Sequence, residues 1–370
     1  MARRRTIALA TAVILAVAYL AFGVRTALDS ADPVPTAPDE MRGAWHVHTT
    51  RSDGLGTLDE VIAAARDTGL AFVVVTDHNV VTPVEQVWKD GVLVVQGQEV
   101  STSLGHVVAL GIDRPLTREE RTADPLRRIE TLGGRAVLAH PLHPRRPFRG
   151  LDEDLPWVGF EVVSNDTSWH QALADRAFGR IALGALRLPW DGGRAVLDLA
   201  APPTRELARF DEQRRRARAA GDRKQARALL CSVDAHGYPS YRAAFAAVTM
   251  HVPVRPTGEA AADARAVSDA LLDGSAVCVL EARGSVARVR FTGGEDAGLD
   301  LDVPAGAGDV TARLVRDGAA VAERPLPLAP GRNHVPLAPL CGGACAPGDY
   351  RLELWRDGAP WLFTNGVGIE

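Results

Sequence analysis

The sequence predicts an α/β protein in three parts: an N-terminal membrane-spanning helix, a β/α domain of parallel-barrel type, and a small antiparallel β-sandwich. Three observations carry this. Arg3, Arg4 and Arg5 precede an uncharged run from Thr6 to Val24. Between Gly43 and Ala282, short apolar runs alternate with stretches of helical periodicity, the pattern of β/α units. From Ser285 onward the runs are short and alternating, are separated by Gly, Pro and Asp, and require no helix.

The N-terminal run, at about 1.5 Å per residue, nearly crosses a hydrocarbon layer of roughly 30 Å. A cleavable signal has a shorter apolar core, about 7–15 residues. Ala21-Phe22-Gly23 still offers a small-x-small cleavage site, so residues 1–25 are a signal anchor or a signal peptide. The arginines place the tail inside and the body outside. The body is therefore expected to be extracytoplasmic and membrane-anchored, or secreted after cleavage. Residues 26–42, with Pro33, Pro35 and Pro38, read as an exposed linker.

The main domain spans 43–283. Gly43 to His48 is a first strand, and Leu58 to Thr68 a helix that Thr57 is placed to cap. Ala71 to Thr76 is a buried strand. Val92 to Val100 and His106 to Ile112 follow as strands, then a helix from Pro125 to Leu132 that closes at Gly133-Gly134. Arg135 to Ala139 and Val158 to Val163 are strands. Thr167 to Leu188 and Thr204 to Leu230 are mostly helical. Leu230 to Val233 and Ala244 to Val248 are strands again. Residues 284–370 form the sandwich, with strands at Val286 to Phe291, Val310 to Arg316, Gly348 to Arg356 and Trp361 to Gly366.

Hydrophobic content of 46% and charged content of 24% are those of an ordinary folded globule. A net charge of −4 supplies no general positive field, and no stable nucleic-acid complex is expected. Cys341 and Cys345 frame a Gly-Gly-Ala loop short enough to close locally, and an exported protein lets them pair. Cys231, on the apolar lead-in to Asp234, reads as a buried small hydrophobe. There is no Cys-x-x-Cys pair, so any metal site must be built from His, Asp and Glu.

Such residues are abundant. His46, Asp77, His78, Glu99, His140, Glu161 and Asp234 stand at or near strand C-termini, the face where the loops of a β/α barrel converge. Imidazole nitrogen and carboxylate oxygen are the ligand set of zinc, manganese and iron(II). Regular alternation puts positions i and i+2 on one strand face, so His46 and His48 can reach one ion. Asp234 and His236 have the same spacing.

His-x-His at 46 and 48, Ser-Asp-Gly at 52–54, Thr-Asp-His at 76–78, Gly-x-Glu at 97–99, Ala-His-Pro at 139–141 and Asp-x-His at 234–236 together resemble the PHP (polymerase and histidinol phosphatase) family. The resemblance covers about Gly43 to Ala282. It implies a distorted (β/α)7 barrel with two to three divalent ions (Zn, Mn or Fe) at the strand C-termini, and phosphoester hydrolysis. It also implies that His46 and His48, helped by Asp234, hold one metal and that Asp53, His78 and His236 serve a second. Glu99 then bridges two ions, and His140 and His106 complete the set. Phosphoester hydrolysis needs a nucleophile at neutral pH and cancellation of phosphoryl charge, and paired ions supply both. Glu99, Asp234 and Arg51 are the expected catalytic residues.

Arg51 lies inside the metal-loop motif, and Arg145, Arg146 and Arg149 follow His140 at the same rim. Arginine forks bind phosphate oxygens in pairs, so Arg51, Arg145 and Arg146 are candidate substrate contacts, against the plain reading of a solvated basic loop. His143 is a substrate contact, an acid for the leaving group, or a loop histidine. Asp77 is a metal-site carboxylate or one that orients a ligand; Glu161 faces the pocket or forms a structural ion pair. Trp169 and His170 offer a stacking surface. The expected function is an exported or membrane-anchored phosphoesterase acting on a small phosphorylated molecule or nucleotide. The alternatives are an exonuclease and a non-catalytic metal- or glycan-binding surface module.

Overall fold

The computed structural model describes residues 2–28, 37–81, 86–221, 228–294, 296–304 and 307–370. Residues 29–36 of the expected linker thus lie outside the described residues. The chain begins with α1 (Ala2–Leu28), β1 (Met41–Val47), α2 (Leu58–Asp67), β2 (Phe72–Val75), β3 (Val87–Lys89), β4 (Val92–Ser101) and β5 (His106–Leu110). Next come α3 (Arg118–Ala123), α4 (Pro125–Thr131), β6 (Arg135–Leu138), β7 (Trp157–Ser164), α5 (Asn165–Ala174), α6 (Phe178–Arg187), α7 (Gly192–Leu199) and α8 (Thr204–Ala219). The domain ends with β8 (Ala228–Ser232), α9 (Tyr241–Ala247), β9 (Thr249–Val252), α10 (Ala260–Leu272) and β10 (Val277–Val279).

Strands β1, β2 and β4 pair in parallel, as do β6, β7 and β8. Strand β5 is antiparallel to both neighbours, a departure from the all-parallel expectation. The cause is local: only Thr102–Gly105 separates β4 from β5, too short a connection for a parallel crossover. Just beyond β8, Val233 N donates to Trp45 O at 3.0 Å and His48 N to Ala235 O at 3.0 Å, so the two ends of this strand run meet. Every residue of β2 is buried, as its unbroken Val run requires. Helix α2 starts where Thr57 accepts from Glu60 N and Glu60 accepts from Thr57 N in return.

The C-terminal part comprises β11 (Ala287–Thr292), β12 (Gly298–Val303), β13 (Val310–Arg316), β14 (Ala319–Pro325), β15 (Gly331–Pro336), α11 (Leu337–Cys341), β16 (Gly348–Arg356), β17 (Ala359–Thr364) and β18 (Val367–Ile369). A sheet of β11, β12 and β15 stands beside strands that continue the main sheet through β9, β10, β17, β16, β13 and β14. A second apolar cluster that includes Leu299, Leu314, Leu352 and Trp361 fills this part. Strand β10 pairs with β17 (Cys278 opposite Phe363), so backbone hydrogen bonds cross the boundary expected at 283/284.

Three sequence expectations need correction. Ala244–Val248 is not a strand: Ser240 Oγ accepts from Ala243 N to start helix α9, Tyr241 and Phe245 stack on one face, and the strand begins only at Thr249. The alanine run permits either state locally, and packing against the buried face of α7 selects the helix. Cys231 is buried as expected but is not a free thiol; it is bonded to Cys278 and ties β8 to β10. Helix α11 occupies a region where the sequence required none. The expected Cys341–Cys345 bridge is present.

Candidate metal centre

The site begins with a break in β1. Trp45 pairs with Val74 and Val47 with Val75, leaving His46 as an extra residue, with φ of 73°. This bulge aims the His46 ring into the site, so the simple alternation assumed from sequence is not how it gets there. His140 (φ 31°) and Asp234 (φ 42°) also occupy the left-handed region. That conformation costs a non-glycine residue on the order of 1–2 kcal/mol. Three of the expected ligands thus carry strained backbone at strand ends, where the surrounding sheet holds them.

Five imidazoles converge on Glu99. Its Oε2 lies 3.1 Å from His46 Nε2, 3.1 Å from His48 Nε2 and 3.3 Å from His78 Nε2. Its Oε1 lies 2.7 Å from His106 Nδ1 and 3.1 Å from His140 Nε2. Asp234 Oδ1 is 3.6 Å from His46 Nε2 and 3.5 Å from His48 Nε2. Asp53 faces His48, His78 and His236, each at 3.5 Å. All nine residues expected as ligands are therefore in one place. Their donor atoms form three overlapping sets: His46, His48 and Asp234; His48, Asp53, His78 and His236; and His78, Glu99 and His106.

The donors fit divalent metal. Nε2 of His46 and of His48 is buried and makes no hydrogen bond among the described residues, although Glu99 and Asp234 oxygens surround both. Burial opposes charge on these groups, but they override it together. The His46 charge and hydrogen bonds from His106 and His140 hold the Glu99 carboxyl well below the usual carboxylate range. The His46 charge, with His48 Nε2 3.5 Å away and the charges of His140 and His236, does the same for Asp234. Burial disfavours the charged His48 and His140 rings, yet the carboxylates raise both to about 9. A cation that replaces the shared protons satisfies the same carboxylates. Together the sets place imidazole and carboxylate ligands around neighbouring positions with Glu99 between them, an arrangement suited to more than one ion.

The supporting residues are equally definite. Glu161 Oε1 accepts from Trp45 Nε1 at 2.7 Å and lies 2.8 Å from His46 Nδ1; its Oε2 accepts from His140 N at 2.8 Å. It is thus a positioning residue with a role in the site. Asp77 accepts from Thr49 N (2.8 Å), Thr49 Oγ1 (2.7 Å) and Ser52 Oγ (2.7 Å), pinning the loop that carries Asp53.

A cavity of about 490 Å³ opens beside the cluster. Arg145, Arg146 and His143 line it, as do Trp169 and His170. Arg51 and Arg149 are exposed and lie outside that lining. His143 Nδ1 accepts from the backbone N–H of Arg145 and of Arg146, both at 3.1 Å, so it organises the arginine loop. Its Nε2 lies 3.2 Å from Asp166 Oδ2, and His170 Nε2 is 3.5 Å from Asp166 Oδ1. Asp166 went unnoticed in the sequence; its i,i+4 spacing to His170 on one helix was the available signal.

No family model matches the chain. An uncharacterised protein of Methanocaldococcus jannaschii is 27% identical over 120 residues, 28% of this chain and 70% of that protein. The crystal structure of a two-domain protein of Bacteroides vulgatus, described as containing a predicted PHP-like metal-dependent phosphoesterase, matches 91% of this chain and 98% of that one. The identity is 14% and the TM-score 0.43.

Proposed function

We propose that the chain is a metal-dependent phosphoesterase of the PHP type, a distorted (β/α)7 barrel followed by a β-sandwich, held at a membrane by α1 or released from it. The observation that carries this reading is the convergence of five imidazoles on the two oxygens of Glu99, flanked by Asp53 and Asp234. His46, His48 and Asp234 would hold one ion, Asp53, His78 and His236 a second, and His106 and His140 would complete the cluster. Zinc, manganese or iron(II) bound there supplies an acidified water and charge for the phosphoryl oxygens.

The protein's own groups do the rest. Arg145 and Arg146 grip phosphoryl oxygens from the cavity wall, on a loop that His143 and Asp166 hold in shape. Arg51, exposed within the motif and outside the cavity lining, contacts a substrate group that extends past the cavity. In the net reaction a water oxygen bonds to phosphorus, the P–O bond to the alcohol breaks, and the leaving oxygen takes up a proton. Helix α1 is long and apolar enough by length and composition to cross a membrane, and its span from Ala10 to Ala27 is little buried by the body. This supports anchoring, and the arginines that precede the span support an extracytoplasmic body.

The decisive experiment is purification without chelator, elemental analysis, and assay with Mn(II), Zn(II) and Fe(II) against phosphomonoesters and phosphodiesters. Bound metal with metal-dependent release of phosphate or alcohol is expected. Fewer than one ion per chain after loading, or no turnover of any ester, defeats the reading.

A further inference from the structure

Helix α6 is apolar on two sides. At about 100° per residue, Phe178, Ala182, Leu186 and Leu183 fall on one arc, and Ile181, Gly184, Ala185 and Leu188 on another. The second arc lines the cavity beside the metal centre. The first faces outward: Phe178 is 67% and Leu186 52% exposed. On neighbouring α5, Trp169 and Leu173 are also exposed, at 41% and 42%. Contiguous apolar surface of this kind marks contact with a partner or a membrane.

The contacts of α1 favour a membrane. The C-terminal half of α1 rests on the end of α6: Tyr19 OH donates to Leu186 O at 3.2 Å, and the Tyr19 and Trp190 rings meet edge-on at 5.8 Å. A Cβ on Gly23 would strike the Trp190 ring at 2.2 Å, so the approach requires glycine. The contacting residues Tyr19 to Gly23 lie about 6–12 Å inside the C-terminal end of the apolar span, by helix rise. Interfacial helices sink about 5–10 Å into the headgroup and acyl boundary. If α1 crosses a bilayer, α6 is held at that depth, with Tyr19 and Trp190 at the level where aromatic residues anchor.

The cavity has matching polarity. Its lining combines the His–Asp–Glu cluster and Arg145 and Arg146 with apolar side chains of α6 and α7, among them Ile181, Val196 and Leu199. We propose that α5 and α6 are seated in the bilayer crossed by α1, and that the site hydrolyses a phosphorylated lipid. Its phosphate ester lies at the cluster and its acyl part along the α6–α7 wall. This rests on the phosphoesterase reading and on α1 as an anchor. Water adds across the P–O bond of the headgroup, as above.

Two measurements on the full-length chain in phosphatidylcholine vesicles test it. In the first, Phe178→Trp adds emission that lipids brominated on their acyl chains should quench. Absence of added quenching overturns the seating, as does a change of oligomeric state in Phe178→Asp/Leu186→Asp showing that a second copy covers this face. In the second, the metal-loaded protein is given dioleoyl phosphatidate or phosphatidylglycerol in the vesicles, each beside its tail-free headgroup, glycerol 3-phosphate or glycerophosphoglycerol. At least one lipid should be cleaved with kcat/KM roughly tenfold or more above its headgroup, and Phe178→Asp/Leu186→Asp should lose that preference while cleaving the headgroup as before. Equal rates on lipid and headgroup, or preference for the headgroup, overturn the lipid substrate alone. Cleavage of neither overturns the lipid substrate, the ester panel above decides the phosphoesterase reading, and the quenching still decides the seating.

Discussion

His46 Nδ1 lies 2.8 Å from Glu161 Oε1, and this contact fixes which nitrogen of the ring faces the metal centre. With Nδ1–H donating to Glu161, the Nε2 lone pair points toward Glu99 and Asp234. Trp45 Nε1 and His140 N also donate to Glu161, so its two oxygens meet three donors. Glu161→Gln replaces one acceptor with a donor. The expected result is metal affinity weakened about 10- to 100-fold in a folded protein, as for other residues that orient a ligand from behind. Chelator competition with circular dichroism measures both; unchanged affinity would show that the ring is held by packing alone.

Removing the convergence point should be more severe. Glu99→Ala and His46→Ala are expected to lose bound metal and activity together. His334→Ala, in the C-terminal part where its ring meets Asp300 at 3.0 Å, should change neither. Elemental analysis after loading checks all three.

The two cavity arginines separate substrate binding from metal binding. Arg145→Ala is expected to lower kcat/KM by roughly 10- to 150-fold, the effect of losing a charged hydrogen bond, with metal content intact. Lysine there should restore part of the loss, since it keeps the charge without the fork. Arg51→Ala should have a smaller effect on small esters, because the side chain stands outside the cavity. Steady-state kinetics on one ester decide this, and equal losses in both variants would place Arg51 on the phosphate.

A buried triad remote from the metal centre predicts a pH dependence of stability. His251 Nδ1 meets Glu40 Oε1 at 3.0 Å and its Nε2 meets Glu281 Oε1 at 2.8 Å. Burial lowers the ring's affinity for a proton, but hydrogen bonds to Glu281 and Glu40 outweigh it and raise the pKa to about 9. That contribution is complete below the unfolded value near 6.5 and is lost as pH rises through about 9; it is on the order of 3 kcal/mol. Burial pushes Glu40 and Glu281 up, but His251 more than offsets it and both are lowered. Their contribution is present above about 4.5 and is lost as pH falls through their folded values. Denaturant midpoints should therefore be highest between about pH 4.5 and 6.5 for this triad. His251→Gln should flatten the alkaline limb, and an unchanged limb would refute the assignment.

The Cys231–Cys278 bridge closes a separation of 47 residues and joins two core strands. Replacing both with serine should cost on the order of 4 kcal/mol in the chain-entropy picture, against about 2 for the four-residue separation of Cys341–Cys345. Thermal melts of the two double variants check the ranking.

The candidate ligands were legible in the sequence because a metal site draws on few residue types. Strand ends in a β/α pattern also point to one face, so the histidines and carboxylates of distant motifs were expected together and are found together. Helix α2 was equally plain, since Thr57 and Glu60 cap it through local bonds. Tertiary structure alone decided the rest. The His46 bulge arises from its pairing with β2, and helix α9 from the α7 surface it covers. Glu161 looked as much like a structural ion pair as a site residue until Trp45, His46 and His140 were seen around it. Cys231 found its partner, and His251 its two carboxylates, across the sheet rather than along the chain. Local sequence carries propensity, capping and ligand chemistry. Which distant groups meet depends on strand register and on the burial that enforces it, and these are properties of the whole packed sheet.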